Sequence, residues 1–345
     1  MNGKTLLITG GAGYIGSHTV VAFLEKGCNI VVADNLSNSH ANVFDRIETI
    51  TGKHPIFEFA DLSHAEECRK VFDRHDDIEA VVNFAAHKAV GESVEKPVEY
   101  YRNNVGIVLN LLSEMNKRNT RYFVQSSSCF VYGVPKQLPI KETSPISFAS
   151  SPYGHTKQIV EDMLFFSAQT NKIQSIALRY FNPIGAHPSG LIGELPQGVP
   201  NNLMPFITQT AIGKQKQLTV FGNDYPTPDG TCIRDYIHVS DLAQAHVTAV
   251  DRCFAKKNKK PHEVFNIGTG KGYSVLQIID SFERSTGQKL NYVIGARRPG
   301  DIPEIWADTT LAEKELGWKA EYSLDEMTSS AWKWELYRHK TQQKR

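Results

Sequence analysis

Three residues near the middle of the chain have side chains suited to acid–base chemistry. Tyr153 and Lys157 stand four positions apart in SPYGHTK, and Ser128 lies upstream in SSSCFVYG. Residues at i and i+4 share one face of a helix, and Pro152 suits the first turn of that helix. Because a neighbouring ammonium favours the phenolate, Lys157 is predicted to lower the pKa of Tyr153. The phenolate can then remove a proton from an alcohol whose carbon gives up hydride, with Ser128 hydrogen-bonded to the same oxygen.

A hydride needs an acceptor, and the N-terminal segment TGGAGYIGSH predicts one. Gly10, Gly13 and Gly16 have GxxGxxG spacing between a predicted strand and a predicted helix. This arrangement lets the backbone approach a pyrophosphate at the helix N-terminus. Asp34 ends the next predicted strand, where its carboxylate accepts from ribose hydroxyls and repels a 2′-phosphate. The sequence therefore predicts NAD, whose oxidised nicotinamide adds a second positive charge beside the phenol.

The elements that must position these residues alternate between strand-like and helix-like patterns. The predicted strands are continuous apolar runs at 4–10, 29–34, 55–61, 78–86, 121–128 and 174–182. Such runs are typical of strands buried on both faces of a parallel sheet. After residue 182 the sequence becomes rich in Gly, Pro and Asn, yet a helix and a strand of the first kind recur within 234–270. We therefore predict an α/β fold: a doubly wound, parallel-sheet Rossmann domain (1–182, completed by about 234–270) and a smaller α/β substrate lobe, mainly 183–345.

Composition narrows the functional classes. The chain of 345 residues has a net charge of +1, so no overall field favours nucleic acid or a membrane surface. No apolar stretch approaches membrane-spanning length, and no His, Cys or Asp residues have metal-ligand spacing, so neither a membrane nor a metal is expected. The five cysteines are scattered and odd in number, which fits free thiols in a reducing, cytoplasmic setting.

Motifs along the chain resemble those of the extended short-chain dehydrogenase/reductase family. The resemblance covers about residues 4 to 334, and it includes the segments TGGAGYIGSHT, DNLSNS, SSSCFVYG, SPYGHTK, RYFNPIGAHPSG, FGNDYPTPDGT, RDYIHVSDLA and RRPGDIP. The later motifs are typical of members that act on nucleotide sugars. The resemblance implies reversible C4 epimerisation of UDP-glucose and UDP-galactose through a 4-keto sugar, with NAD that stays bound. It also implies a homodimer packed through helices such as 95–118 and 152–170.

The same resemblance assigns roles to individual positions. The catalytic residues it implies are Ser128, Tyr153 and Lys157. The cofactor-binding residues are Gly10, Gly13, Tyr14, Ile15, Gly16, Asp34, Asn35, Leu36, Ser37, Asn38, Ser39, Asp61, Leu62, Phe84, Ala85, Ala86, His87, Lys88, Asn103, Ser128, Tyr153, Lys157 and Phe181. The UDP-hexose residues are Lys88, Ser128, Tyr153, Asn182, Asn202, Leu203, Thr219, Val220, Phe221, Arg234, Arg298, Asp301 and Ile305.

Two departures from the family pattern bear on the substrate. Ile305 stands where related enzymes carry a residue that limits space at sugar C2, so acceptance of UDP-N-acetylglucosamine and UDP-N-acetylgalactosamine is a hypothesis. Cys129 and Phe130 follow Ser128, where a nucleotide-sugar 4,6-dehydratase would need an Asp-Glu pair. That absence argues against the dehydratase alternative. A non-catalytic NAD-binding sensor is the other alternative, although such proteins often lack the Tyr or the Lys that this chain has.

Overall fold

The computed structural model describes residues 1–170, 172–298 and 300–342. Its strands are β1 (Thr5–Thr9), β2 (Asn29–Asp34), β3 (Ile56–Phe59), β4 (Ala80–Asn83), β5 (Tyr122–Ser128), β6 (Gln174–Tyr180), β7 (Asn182–Ile184), β8 (Leu218–Phe221), β9 (Ile233–Arg234), β10 (Tyr236–His238), β11 (His262–Ile267), β12 (Tyr273–Ser274), β13 (Tyr292–Gly295) and β14 (Glu304–Ile305). Its α-helices are α1 (Tyr14–Glu25), α2 (Val43–Thr51), α3 (Ala65–Arg74), α4 (Val90–Glu95), α5 (Pro97–Lys117), α6 (Pro152–Ala168), α7 (Leu203–Ala211), α8 (Val239–Phe254), α9 (Val275–Thr286) and α10 (Leu324–Gln342). A 3₁₀ turn spans Cys129–Tyr132, and a short π-helical segment spans Ala312–Leu316.

The main sheet has seven strands in the order β11-β6-β5-β4-β1-β2-β3. Every pair in it is parallel. Apolar clusters cover both faces of the sheet, so its inner strands are buried on two sides, as their continuous apolar sequences predict. The same prediction is wrong for β3, which lies at the edge of the sheet and exposes Ile56 and Phe59. The strand order reverses between β1 and β4, and ligands in such folds bind at this switch point, outside the carboxyl ends of the strands. The predicted doubly wound parallel sheet is confirmed.

Polar residues lie in register near the carboxyl ends of three neighbouring strands. The Thr9 hydroxyl donates to Asn83 Oδ1 at 2.6 Å, and Asn83 Nδ2 donates to Gln125 Oε1 at 2.9 Å. All three side chains are buried, so each needs this partner to offset its lost hydration. The chain of bonds holds β1, β4 and β5 at a common edge. Strand β4 ends at Asn83, earlier than the predicted strand 78–86, because the backbone leaves the sheet at this edge.

The C-terminal half forms a smaller lobe around its own apolar core. Strands β8 and β13 pair in parallel, and β9 lies between β12 and β14. Residues of α7, α9 and α10 supply much of the core, including Ile207, Ile278, Phe282 and Met327. Strand β11 comes after this lobe begins but pairs with β6 in the main sheet. Among the described residues, no helix is both long and apolar enough to cross a membrane.

At Gly16 the first turn of α1 packs closely against the turn that follows β1. A Cβ there would lie 2.3 Å from the carbonyl oxygen of Gly10 and 2.8 Å from Gly11 Cα. We expect Gly16→Ala to destabilise the protein by about 1–3 kcal/mol, since backbone atoms must move to admit the methyl group. The matched control is Gly91→Ala on α4, where a Cβ meets nothing within 4 Å. Urea unfolding would contradict this view if the two variants had the same midpoint.

Candidate active site

The turn between β1 and α1 has the geometry of a phosphate cradle. Gly10 has a φ of 68°, which favours glycine, and a Cβ on it would lie 2.8 Å from the amide nitrogen of Ala85. Helix α1 starts at Tyr14, directly after Gly13, and no side chain caps its N-terminus. Its first N–H groups are therefore available to an anion. Glycine at these positions lets the backbone approach a dinucleotide closely, so the turn fits the predicted cofactor.

Asp34 lies at the carboxyl end of β2 and is held rigidly. Its Oδ2 accepts from Ala12 N at 3.0 Å, and its Oδ1 accepts from Leu36 N at 2.8 Å and from the Ser39 hydroxyl at 3.0 Å. These bonds tie the glycine turn to the loop after β2. Leu36 has a φ of 55°, a strained conformation for a residue with a branched side chain. The loop is thus fixed around the Asp34 carboxylate, whose contact with an adenosine ribose stays a prediction.

The end of β3 meets the same loop. Asn35 Nδ2 donates to Asp61 Oδ2 at 3.2 Å, and Ser63 donates to Asp61 Oδ1 through both its backbone N–H and its hydroxyl. Burial raises the pKa of Asp61, but these hydrogen bonds outweigh it and leave the pKa below the usual value. The other predicted cofactor residues follow parallel strands along this edge or begin α1: Ile15, Ser37, Asn38, Leu62, Ala85, Ala86 and Phe181.

Beyond β4 the predicted cofactor residues are fixed from α5. His87 N donates to Asn104 Oδ1 at 2.8 Å, Asn104 Nδ2 returns a bond to His87 O, and Asn103 Nδ2 also reaches Asn104 Oδ1. Phe84 packs its ring against His246, with centroids 4.6 Å apart. The backbone of His87 is therefore held against α5.

The predicted catalytic residues meet where β5 ends and α6 begins. Ser151 caps α6 by accepting from Gly154 N at 3.2 Å, and Pro152 occupies the first turn. Tyr153 and Lys157 share one face of the helix, with Lys157 Nζ 5.7 Å from the centre of the Tyr153 ring. Lys157 Nζ donates to the backbone oxygen of Ser126 at 2.8 Å. The spacing that predicted a shared site does place both groups at the end of β5.

Ser128 sits beside this pair, and its surroundings orient its hydroxyl. Ser128 Oγ accepts from Phe130 N at 3.3 Å, which leaves its proton free to point at another oxygen. The Phe130 ring packs edge-on against Tyr153, with centroids 5.9 Å apart. Phe130 therefore covers part of the phenol, a contact that the sequence alone did not reveal.

Burial shifts the pKa values of both members of the pair. It raises the pKa of Tyr153 to about 12, and the hydrogen bond with Ser128 offsets this only in part. Burial lowers the pKa of Lys157 to about 8, although Glu161 opposes the shift. In the protein groups alone the pKa of Tyr153 is therefore raised. That Lys157, together with an oxidised nicotinamide, favours the phenolate stays a prediction.

The predicted substrate residues form a continuous line from Ser128 into the lobe. Ile305 packs in one apolar cluster with Cys129 and Phe181, and in the strand register it pairs with Arg234. Arg234 Nη2 lies 3.7 Å from Asp301 Oδ1.

The line continues through Asp301 to the far end of the lobe. Arg298 Nη2 donates to the same Asp301 Oδ1 at 2.8 Å, and its guanidinium lies 5.9 Å from the Phe221 ring. Two guanidinium groups on one carboxylate, one of them beside an aromatic ring, suit a nucleoside diphosphate. Thr219 and Val220 precede Phe221 in β8, as the predicted segment requires.

Residues 185–203 pass over the cleft and are here called the crossing segment. A third group of predicted substrate residues lies in this segment or beside it. Asn202 Nδ2 donates to Glu194 Oε1 at 2.7 Å, and Lys88 Nζ approaches the same oxygen at 3.4 Å. Asn182 N donates to Asp235 O at 3.0 Å, and Leu203 begins α7. Sequence reasoning missed Glu194, although its place in the unpatterned GELPQG stretch, between two predicted substrate motifs, was the available signal.

The crossing segment also contacts the cofactor side. The Tyr14 hydroxyl donates to Gly185 O at 2.7 Å, and Gln197 Nε2 donates to Ser37 O at 3.5 Å. Tyr14 is thus on the glycine turn as predicted, but its side chain binds the lobe, and burial raises its pKa well above the usual value. Together with the contact between Lys88 and Glu194, these hydrogen bonds connect the lobe to the glycine turn, to the loop after β2 and to the segment after β4.

Asp235 is a further residue that sequence reasoning passed over in favour of Arg234. Its Oδ1 accepts from the N–H and hydroxyl of Thr269, and its Oδ2 accepts from Gly270 N and Ala307 N. The side chain is fully buried, and burial raises its pKa. The signal in the sequence was an acidic residue directly after Arg234, a predicted substrate-binding residue.

This fold and site define an extended short-chain dehydrogenase/reductase, and comparison with known proteins agrees. A family model described as GDP-mannose 4,6 dehydratase matches residues 7–331. Among the extended short-chain dehydrogenases/reductases, the chain belongs to the UDP-glucose 4-epimerases. The UDP-glucose 4-epimerase of Erwinia amylovora is 49% identical over 332 residues, which cover 96% of this chain and 97% of the relative.

Solved structures show the same likeness. The UDP-glucose 4-epimerase of Stenotrophomonas maltophila, crystallised with bound NAD and formylated UDP-arabinopyranose, superimposes with a TM-score of 0.94 at 44% identity, covering 98% of this chain and 99% of that one. The Bifidobacterium longum enzyme, in complex with NAD⁺ and UDP, has a TM-score of 0.92 at 45% identity, covering 97% and 99%. The resemblance to extended short-chain dehydrogenases/reductases that act on UDP-hexoses is therefore confirmed.

Proposed function

We propose that this chain catalyses the reversible C4 epimerisation of UDP-glucose and UDP-galactose, with NAD as its bound cofactor. The observation that carries the proposal is the meeting of three features at one sheet edge. Ser128, Tyr153 and Lys157 lie between the glycine turn with Asp34 and the line that leads to Arg298. Curated relatives of about half identity and neighbours crystallised with NAD support the same activity and cofactor.

When bound, NAD supplies the chemistry of reversible hydride transfer at sugar C4. Tyr153 removes the proton from O4 and returns it at the end of the cycle. Ser128 donates a hydrogen bond to the same oxygen. Its hydroxyl oxygen already accepts from Phe130 N, so its proton is available to donate. Lys157, held on Ser126 O, keeps a positive charge near the phenol and so favours its ionised form.

Inversion requires that the 4-keto sugar turn over while the nucleotide stays in place. Arg234 and Arg298 provide charged partners for the diphosphate near Asp301. The surface beside Ser128 is instead apolar, with Cys129, Phe181 and Ile305 in one cluster. Directional bonds at the nucleotide end and apolar contacts at the sugar end favour a firm hold on UDP and a loose hold on the hexose.

The dehydratase alternative is not favoured, even though the matching family model bears a dehydratase description. Cys129 is buried, and burial raises the pKa of its thiol to about 12, so it supplies no acid or base. Phe130 places a ring against Tyr153, where the dehydratase would need a carboxyl group. A non-catalytic sensor is not favoured either, because both Tyr153 and Lys157 are in place.

We also infer that the protein is a cytoplasmic homodimer. In each chain we infer a cofactor domain of residues 1–182, completed by about 234–270. Residues 183–345 then form mainly a UDP-sugar lobe. Large apolar side chains on α5 and α6 are exposed, including Val98, Leu109, Phe165 and Phe166, and exposed apolar patches are typical of protein interfaces. All five cysteines are buried and free, which suits a reducing compartment. Light scattering that returned a single chain mass would contradict the dimer.

The function is tested by an assay without added NAD. Because the crossing segment closes over the cleft, we expect purified protein to convert UDP-galactose to UDP-glucose with no cofactor supplied. Tyr153→Phe should lower kcat by at least about 10²-fold, since it removes the group that moves the proton. Chromatography of the UDP-sugars measures both. A requirement for stoichiometric NAD would contradict the retained cofactor, and full activity of the variant would contradict the role of Tyr153.

The side chain at 305 should set tolerance at sugar C2. Ile305 is buried beside Cys129 and Phe181, and isoleucine is smaller than tyrosine. We expect turnover of UDP-N-acetylglucosamine by the parent chain and a loss of roughly tenfold or more in Ile305→Tyr, because one occluded group changes discrimination by about 1–3 kcal/mol. Turnover of UDP-galactose by the same variant is the control. A parent chain inactive on the N-acetylated sugar would refute this hypothesis.

A further inference from the structure

A buried carboxylate lies one helical turn beyond Lys157. Glu161 follows Lys157 at i+4 on α6, and both side chains are nearly inaccessible, with exposed fractions of 6% and 5%. They bind successive residues of the same strand: Lys157 Nζ donates to Ser126 O at 2.8 Å, and the Ser127 hydroxyl donates to Glu161 Oε1. Helix α6 is thereby attached to the end of β5 by one cation and one anion.

Glu161 is paired with a buried arginine on the neighbouring strand. Arg179 of β6, 4% exposed, donates from Nε to both carboxylate oxygens of Glu161, at 3.0 and 3.1 Å. Its guanidinium also lies 4.8 Å from the centre of the Tyr132 ring. The pair therefore links α6, β5, β6 and the 3₁₀ turn that follows Ser128. Nε and Nη2 of Arg179 bond Glu161, whereas its buried Nη1 has no hydrogen-bond partner. Such a buried ion pair resists displacement, because separating its members leaves a charge without its counter-charge.

We propose that the Glu161–Arg179 ion pair is a positioning device for Lys157, fixing the place of its ammonium and setting the local charge that keeps it protonated. This inference rests on the proposed function, in which Lys157 acts as a cation beside Tyr153. Neither Glu161 nor Arg179 contacts the phenol, so they act through Lys157 and through the strand end that bears Ser128.

The charges around Lys157 define the expected direction of the effect. Burial lowers the pKa of Lys157 to about 8, and the negative charge of Glu161 raises it. Arg179 offsets part of that negative charge. The other titratable or charged groups facing this network are Tyr153 on α6, Tyr132 in the 3₁₀ turn, Tyr180 on β6, Glu142 in the loop before α6 and His262 on β11. Burial raises the pKa values of the three tyrosines and of Glu142, and it lowers that of His262. Glu161 is the charged group whose field shifts the pKa of Lys157.

The test is the pH dependence of kcat for the NAD-loaded protein. In Glu161→Gln, Arg179 loses its counter-charge and Lys157 loses its anion, so Lys157 should release its proton at lower pH. We expect the alkaline limb of the kcat profile to move down by about one pH unit. In the double variant Glu161→Gln, Arg179→Gln the excess positive charge is gone, and most of the shift should be reversed.

The matched control is an ion pair of similar burial far from Tyr153. Arg252 of α8 donates to Glu263 of β11, and these side chains are 7% and 9% exposed. Glu263→Gln should lower the unfolding midpoint but leave the alkaline limb where it is. An unmoved limb in Glu161→Gln, or an equal shift in Glu263→Gln, would overturn the proposal and leave the pair with a purely structural role.

Should Glu161→Gln fail to fold, Ser127→Ala gives a second measurement. It keeps both charges but removes the hydroxyl that ties Glu161 to β5, so kcat should fall roughly tenfold through misplacement while the alkaline limb stays. An unchanged kcat would overturn the positioning role. Failure of the proposed function is distinguishable, because the parent chain would then show no epimerisation of UDP-galactose at any pH.

Discussion

The carboxylate of Asp235 determines where the substrate lobe lies relative to the sheet. Its four hydrogen bonds come from the loop after β11 and from Ala307, just after β14. A buried carboxylate without these donors would lose several kcal/mol of hydration, so the segments that carry them cannot drift apart. Arg234 directly precedes Asp235 in the chain, and Ile305 lies two positions before Ala307. The charged and apolar ends of the substrate site are therefore set by one anchoring group.

The cleft has three parts, and each part has a different kind of contact. On the cofactor side, Asp34 joins the glycine turn to the loop after β2. Backbone N–H groups of the turn and the Asp34 carboxylate are the groups proposed to bind the dinucleotide. At the nucleotide end, arginines share Asp301. Between them lies an apolar wall with the proposed proton-transfer group, Tyr153, at its margin. Polar bonds at both ends and few directional contacts in the middle are what a reaction with a rotating intermediate requires.

Much of this arrangement was predictable from local sequence. Continuous apolar strands, the glycine spacing and the Tyr-x-x-x-Lys motif each depend on residues close in the chain, and β1, β5 and α6 lie within two residues of the predicted bounds. Contacts between distant segments were not predictable. The bond from Tyr14 to Gly185 and the pairing of Glu161 with Arg179 join elements whose approach depends on the whole fold. The rise in the pKa of Tyr153 was not predictable either, because burial depends on the packing of several segments.

The chain completes its main sheet only after it has built part of the lobe. Strand β11, residues 262–267, covers the outer edge of β6, and the intervening residues include α7, β8 and α8. A fragment that stopped at residue 182 would leave β6 as an open edge, with unpaired backbone groups that invite association with other chains. The cofactor half is therefore not an independent module that evolution or an engineer could cut out at the point where the sequence composition changes, and the two halves must be inherited and folded together.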